Sequence, residues 1–321
     1  MNGVLIMRKC DKIQNAAKEY SKKASGKLGF GYYDLETGES AFLNENAVFP
    51  TASVFKVFVL AELFRQLDKG MCSLEDRYEL KDTVKVNGSG ILITLKEGMK
   101  LTLYDYAMLM MIISDNTAAD FLFNFTGRDN IKKNVLDALE LNDTKVDLTC
   151  QRLLSQYGEF DPGKSWSENL DKFFSTDYRN TDWYLCKTEE NDQTSPRDMV
   201  RMLKAVATGE WSSQSACDGM LDIMKNCQTN SRIPKYLPYG VAVAHKTGTV
   251  NRVGNDVGIV YTAKGSYILT LFYNGNTASK EEYWGANKQG HFGDELLAKL
   301  SREVYDVYVE TDAGVPLLSA L

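Results

Sequence analysis

Ser53 and Lys56 stand three residues apart in Pro50-Thr51-Ala52-Ser53-Val54-Phe55-Lys56-Val57-Phe58-Val59-Leu60. On a helix that spacing puts an ammonium over a hydroxyl on one face. The residues around them, Val54, Phe55, Val57, Phe58, Val59, Leu60, Leu63 and Phe64, are apolar almost all round, so this helix belongs inside a domain. A lysine buried there without a role would be costly. A serine hydroxyl is a weak nucleophile that needs a base within hydrogen-bond reach. A buried lysine, its proton affinity lowered, can be that base. The chain has only two histidines, His245 beside Lys246 and His291 at the start of the last expected helix, so a Ser-His-Asp arrangement has little material.

A lone S-x-x-K occurs on the order of once by chance in a chain this long, whereas Ser-Asp-Asn and Lys-Thr-Gly each have roughly one chance in fifteen to twenty. All three occur in order here, as Ser53-Val54-Phe55-Lys56, Ser114-Asp115-Asn116 and Lys246-Thr247-Gly248. They fall at a helix start, a helix-to-helix turn and a strand. Taken singly, each has an ordinary explanation: a cap for Ser53, turn chemistry for Ser114 to Asn116, a solvated edge-strand lysine for Lys246. A cap does not account for the buried Lys56. A second ammonium from Lys246 would lower Lys56 further, and the helix start offers free backbone N–H groups beside Ser53.

This trio is the motif set of class A β-lactamases and penicillin-binding proteins, and the chain resembles a class A β-lactamase-related serine hydrolase. The likeness extends over Gly29 to Lys56, Leu101 to Phe123, Thr194 to Leu203 and Ala242 to Tyr261. It implies an α+β fold, in which an antiparallel sheet flanked by helices carries an inserted all-helical domain. It implies Ser53 as nucleophile, Lys56 as base and Ser114 as the relay to the leaving group. The backbone N–H groups of Ser53 and Thr249 would form the oxyanion hole, and Asn116 would hold the substrate amide. Lys246, Thr247, Gly248 and Thr249 would anchor a substrate carboxylate. Arg232, in Ser231-Arg232-Ile233-Pro234, would help unless it is a surface-loop arginine. No metal and no cofactor are expected.

One part departs from the family. Class A enzymes carry a deacylating glutamate in an E-x-x-L-N segment. The corresponding stretch, Leu141 to Leu154, has none, and no glutamate stands between Asp147 and Gly158. Glu159 and Glu168 follow in a longer loop without the expected neighbours. The expected function is therefore acyl-enzyme chemistry on β-lactams or related amides and esters, with a deacylation base that is either absent or rearranged, Glu159 or Glu168 of the long loop being the alternatives. The alternatives are a penicillin-binding-protein-like D-Ala-D-Ala peptidase or esterase, and a non-turnover β-lactam- or peptide-binding module. Intact Ser53, Lys56, Ser114 and Lys246 weigh against the last.

The elements that must position these residues follow from periodicity and turn chemistry. Residues 8–25 read as an amphipathic helix. Residues 28–35 and 40–43 form a hairpin across Glu36-Thr37-Gly38-Glu39. Gly70 ends the central helix. Thr102-Leu103-Tyr104-Asp105 is a capping box opening an apolar helix to Ile113, and a short helix closes at Gly127. Residues 155–193, rich in aromatics and acids, read as a long loop or lid with a short helix near Ser167 to Phe174. Ser195, Pro196 and Asp198 start another helix that stops at Gly209. Residues 241–245, 257–261 and 267–273 are strand-like, the last two turned by Ala263-Lys264-Gly265-Ser266. A closing helix spans about 291–308. Joining both strand-bearing ends gives an α/β domain of residues 1–48 and 228–321, with residues 49–227 as the helical insertion.

Composition narrows the setting. The chain has 321 residues, 44% hydrophobic and 25% charged, in the ordinary globular range. A net charge of −6 and the lack of a basic run exclude a nucleic-acid surface. No run of 18 apolar residues predicts a membrane span. Six scattered cysteines without a C-x-x-C pair read as reduced core thiols. The apolar run Val4 to Met7 is too short for a signal peptide. The sequence at face value is cytoplasmic, whereas the resemblance implies export. A monomer acting on a small-molecule substrate is expected.

Overall fold

The computed structural model describes residues 8–156, 191–250, 252–275 and 292–310. From the N-terminus come α1 (Lys9–Lys23), β1 (Lys27–Asp34), β2 (Ser40–Leu43) and β3 (Phe49–Pro50). A 3₁₀ turn over Ala52–Phe55 runs into α2 (Lys56–Asp68), followed by a small ribbon of β4 (Arg77–Glu79) and β5 (Lys100–Thr102). Next are α3 (Leu103–Ile112), α4 (Asn116–Thr126), α5 (Arg128–Ile131) and α6 (Cys150–Gln156). The rest comprises β6 (Gln193–Thr194), α7 (Pro196–Ala207), α8 (Gln214–Lys225), β7 (Ala242–Val250), β8 (Val253–Thr262), β9 (Gly265–Asn274) and α9 (Phe292–Val309).

Strands from the two ends of the chain form one five-stranded sheet, ordered β2-β1-β9-β8-β7 and antiparallel at each junction. The expected hairpins are present. Gly38 takes the left-handed conformation (φ +76°) in the β1–β2 turn, and Thr262 pairs with Gly265 across a two-residue loop. One sheet face, with Phe30, Leu269 and Leu271, buries Ile13 and Ala17 of α1 and Leu297, Leu300 and Val304 of α9. The other, with Ala244, Val257, Ile259 and Phe272, packs into a second core shared with α2, α3, α4, α7 and α8. The fold is α+β, as expected.

Helix α2 is the centre of that second core. All residues from Lys56 to Phe64, and Gln66, are buried, as an apolar circumference demands. Each large aliphatic or aromatic side chain stabilises the fold by about 1.5–3 kcal/mol. Its buried acid, Glu62, is satisfied by a forked pair with Arg65 at 2.8 Å on each oxygen and by Gln66 at 2.9 Å. Gly70 (φ +67°) ends the helix, its N–H on Leu67 C=O and that of Met71 on Gln66 C=O, the crossed pair that a left-handed glycine permits.

The predicted caps are formed. Thr102 and Asp105 exchange side-chain and backbone bonds at the start of α3. Ser195 Oγ accepts Asp198 N–H at 3.2 Å ahead of Pro196. The Asp198 carboxylate does not return the bond; it reaches across to Asp143 N–H and Thr144 Oγ1, both at 2.8 Å.

Candidate active site

Ser53 sits in the 3₁₀ turn, one turn ahead of α2, rather than at the start of an α-helix. Ala52 before it has φ +44°, a left-handed conformation that costs a non-glycine residue on the order of 1–3 kcal/mol and persists only where surroundings enforce it. The surroundings are specific. Thr51 N–H donates to Asp192 C=O at 3.0 Å. Asn255 Nδ2 donates to the carbonyls of Pro50 at 2.7 Å and Thr51 at 3.1 Å. Strand β7 presses on the same turn: a Cβ on Gly248 would lie 2.4 Å from Thr51 O. The glycine of Lys-Thr-Gly is therefore required by a close approach of backbones.

Lys56 is fully buried, and its stem carries the ammonium across to the Ser114-Asp115-Asn116 turn. Nζ donates to Ser114 C=O at 2.7 Å, Asn116 Oδ1 at 2.9 Å and Ser114 Oγ at 3.1 Å. Those are three acceptors for three protons. Ser53 Oγ makes no hydrogen bond among the described residues, so the expected pairing of Lys56 over Ser53 is not formed while the lysine holds this set.

Ser114 is itself left-handed (φ +59°). Asp115 holds it there, accepting Ala118 N–H at 3.0 Å as the cap of α4 and the N–H groups of Ile91 and Leu92 at 2.7 and 2.9 Å. The loop over this turn fits only with glycine at position 90 (φ +112°), where a Cβ would strike the Asp115 carboxylate at 2.2 Å. Asn116 Nδ2 is fixed on Asn87 C=O at 2.6 Å. Asp115 is thus a scaffold for its two neighbours.

From the sheet, Lys246 Nζ donates to the same Ser114 Oγ at 3.1 Å and to Thr247 C=O at 2.8 Å. It is fully buried, no edge-strand solvated lysine. Burial and then the Lys56 charge push it down to about 7, against the opposing pull of Cys227 and Asp256. Burial likewise lowers Lys56, opposed by Cys150, Asp120 and Asp115.

Arg232 is not a surface residue. It is 1% exposed and pairs with Asp294 at 2.6 Å. Its other nitrogens reach Thr249 Oγ1 at 2.6 Å, Asn255 C=O at 2.7 Å and Gly248 C=O at 3.2 Å. Lys56, Ser114, Asn116 and Lys246 thus share one hydrogen-bonded cluster. Arg232 joins Gly248 and Thr249 of the same strand as Lys246 and Thr247, and Ser53 lies in the turn on which that strand presses.

Residues 143–151 are pinned beside this network by three aspartates. Asp198 takes the start, as above. Asp192 accepts Asp147 N–H at 2.8 Å and Leu148 N–H at 3.1 Å. Asp120 accepts Cys150 N–H at 2.6 Å and Gln151 N–H at 2.9 Å. Burial raises Asp192 to about 7 and Asp120 to about 6. Cys150 is buried within reach of the Lys56 charge, and burial lifts its thiol well above the usual range, so it stays neutral. Glu159, Glu168 and the expected short helix at Ser167 to Phe174 lie outside the described residues.

Asn255, Asp120, Asp192 and Cys150 were not singled out from the sequence. For Asn255 a signal existed: Asn255-Asp256 interrupts an otherwise apolar strand. Among the described residues, no cluster of three or more His, Cys, Asp or Glu side chains is placed to hold a metal. No described helix is long and apolar enough to cross a membrane.

Comparison with known proteins agrees with this geometry. The model of the β-lactamase enzyme family matches residues 11–308. β-Lactamase VEB-1 of Pseudomonas aeruginosa is 25% identical over 309 residues, covering 93% of this chain and 89% of that protein. β-Lactamase CARB-4 of the same organism is 24% identical over 302 residues, covering 94% and 91%. Among solved structures, a β-lactamase from Sphaerobacter thermophilus superposes with TM-score 0.74 at 24% identity, covering 92% of this chain and 96% of that one. A PBP-A variant, captured as an acyl-enzyme with penicillin G, superposes with TM-score 0.71 at 23% identity, covering 93% and 96%. At these identities the structural matches speak for the fold.

Proposed function

The chain belongs to the β-lactamase enzyme family, and from that premise we propose that it is a serine hydrolase acylated at Ser53 by β-lactams or related amides and esters. The observation that carries this reading is the shared position of Ser114 Oγ, 3.1 Å from both Lys56 Nζ and Lys246 Nζ. Two ammonium groups cannot both stay charged cheaply around one buried hydroxyl. The lysine pair near neutral pH therefore holds fewer protons than two exposed lysines would. A neutral Lys56 gives up part of its hold on Ser114 and Asn116 and can accept the proton of Ser53 as its oxygen attacks the carbonyl. Ser114 then passes a proton to the departing nitrogen, resupplied from the side of Lys246. The backbone N–H groups of Ser53 and Thr249 receive the developing oxyanion. Lys246, Thr247, Thr249 and Arg232 take the substrate carboxylate, and Asn116 the substrate amide.

Release of the acyl group is the slow half of this cycle. In the deacylation segment the described side chain within reach of the Lys56 charge is a neutral thiol, Cys150. Asp120, which also feels that charge, has its oxygens on two backbone N–H groups. Among the described residues within that reach no carboxylate is left free to activate the deacylating water, and lack of a general base costs typically 10²–10⁴-fold. The same observation favours a second reading, a penicillin-binding-protein-like peptidase or esterase whose acyl group passes to an amine or escapes slowly to water; the PBP-A match is consistent with it. Nitrocefin and p-nitrophenyl ester turnover, with mass detection of the trapped acyl group, separates the two. A β-lactam adduct that is released slowly as hydrolysed product favours the first reading; an adduct that stays while esters or peptides turn over favours the second. No adduct and no turnover would contradict both.

A further inference from the structure

Behind the carboxylate-binding end lies a buried carboxylate that the mechanism above does not use. Asp256 on β8 is fully buried and faces Thr247 of β7 in the strand register. Its two oxygens go to two different segments. Oδ1 stands 2.9 Å from His245 Nδ1, and Oδ2 accepts Ile233 N–H at 2.9 Å. His245 directly precedes Lys246, and Ile233 directly follows Arg232. One carboxylate is thus shared by the neighbours of both cations assigned to the substrate anion.

The histidine is held as a cation. Its Nε2 lies 3.2 Å from Asn230 Oδ1 and its Nδ1 2.9 Å from Asp256 Oδ1, an arrangement in which a protonated ring donates to both. Burial opposes that charge, but Asp256, with Cys227, outweighs it and holds the ring up to about 10. The groups facing this pair are Cys227 after α8, whose thiol is drawn down by His245 against the effect of burial, Asn230, and Lys246 on β7. Ile233 is tied from the other side as well: its C=O accepts Ser301 Oγ at 2.9 Å. Neither Lys246 nor Arg232 is hydrogen-bonded to Asp256 itself, so both keep their donors for other partners while the aspartate fixes the backbone on which each is mounted.

We propose that Asp256 is a positioning residue for anion recognition, setting Lys246 and Arg232 in register with each other through His245 and Ile233. The inference rests on the reading that these two cations receive the substrate carboxylate. Its loss penalises carboxylate-bearing substrates and spares a neutral p-nitrophenyl ester, because Lys246 enters the catalytic network only at Ser114 Oγ and a p-nitrophenolate leaving group needs no proton from Ser114.

The test compares wild type, Asp256→Asn and His245→Gln in acylation of Ser53 by penicillin G and by neutral p-nitrophenyl acetate. Asp256→Asn should lose about 10- to 100-fold in second-order acylation by penicillin, the worth of misplaced charge-assisted bonds. The loss should appear in apparent affinity rather than in the limiting rate, with the ester rate within about twofold. His245→Gln keeps the Ile233 arm and should lose penicillin reactivity selectively but less, even if Asp256→Asn folds poorly. Parallel loss of both substrates in His245→Gln, or no loss in either variant, overturns the inference while leaving the proposed function standing. A wild type that neither substrate acylates at Ser53 overturns both.

Discussion

Lys56 and Lys246 meet at one atom, each placing its Nζ 3.1 Å from Ser114 Oγ. They come from different layers, one from the first turn of the central helix and one from a strand of the sheet. A hydroxyl between two buried ammonium groups is a proton junction, and its own hydrogen is free to leave while both lone pairs are engaged. The left-handed backbone of Ser114 aims it there, and Asp115 and Gly90 keep it so.

On the proposed mechanism, that junction makes the proton of Lys56, not its charge, the functional quantity. Lys56→Arg should be nearly as damaging to acylation as Lys56→Ala, because guanidinium keeps the charge but cannot give up its proton. Stopped-flow acylation with nitrocefin measures it. Retention of more than about a tenth of the wild-type rate, a loss of only about 1.4 kcal/mol, would contradict the assignment of Lys56 as base.

Arg232 is expected to matter for stability as well as binding. Arg232→Met leaves Asp294 buried without its 2.6 Å partner, and removing one member of a buried pair costs about 3–5 kcal/mol. Urea unfolding should show the unfolding free energy fall by that measure, with an earlier midpoint, whereas a change below about 1 kcal/mol would mean the site is reshaped without cost.

Asp192 gives the fold a pH dependence whose sign is fixed. Burial raises its folded-state value to about 7, above the unfolded value of about 3.9. Its contribution to stability is therefore fully present below about pH 4 and is lost as pH rises through about 7. Oδ2 of Asp192 has no hydrogen-bond partner among the described residues, so the ionised form is poorly compensated. Asp192→Asn should be more stable than wild type at pH 8, by on the order of a few kcal/mol, and lose that advantage by about pH 4. Thermal unfolding at the two pH values checks this; a difference independent of pH would refute the titration of Asp192.

Cys150 should govern the fate of the acyl group. Cys150→Glu puts a carboxylate beside Lys56, held by the same backbone bonds to Asp120, and deacylation should accelerate toward the 10²–10⁴-fold worth of a general base. The rate at which a penicillin adduct disappears by mass reads this directly. An adduct as persistent as the wild type's would place the deacylating water elsewhere.

Much of this was legible in the residues because local rules and function coincide in them. The all-round apolar run at Val54 to Phe64 could only be a central helix, and Thr102 with Asp105 and Ser195 with Pro196 announced their caps. Three motifs marked three walls of one site. What stayed hidden depends on contacts between distant segments. Nothing local tells that Lys56 turns to Ser114 rather than Ser53, since that depends on where the Ser114 turn comes to rest. Arg232 looks like a loop residue until Asp294, sixty-two positions away, is folded against it. The carboxylates of Asp120, Asp192 and Asp256 satisfy backbone N–H groups of other segments, a role that leaves no periodic trace. Helix α8 (Gln214–Lys225) is different: its buried Ala216, Cys217, Met220, Leu221 and Met224 recur at helical spacing, a signal the sequence does carry.

Intact-protein mass spectrometry after mixing with penicillin G, at times from seconds to an hour and with peptide mapping, tests the central claim most directly. The account predicts one penicillin per chain, located on the peptide that carries Ser53, persisting over minutes, and absent from a folded Ser53→Ala variant. An adduct of equal yield in Ser53→Ala, or a wild type that consumes penicillin rapidly while never accumulating an adduct, would contradict it.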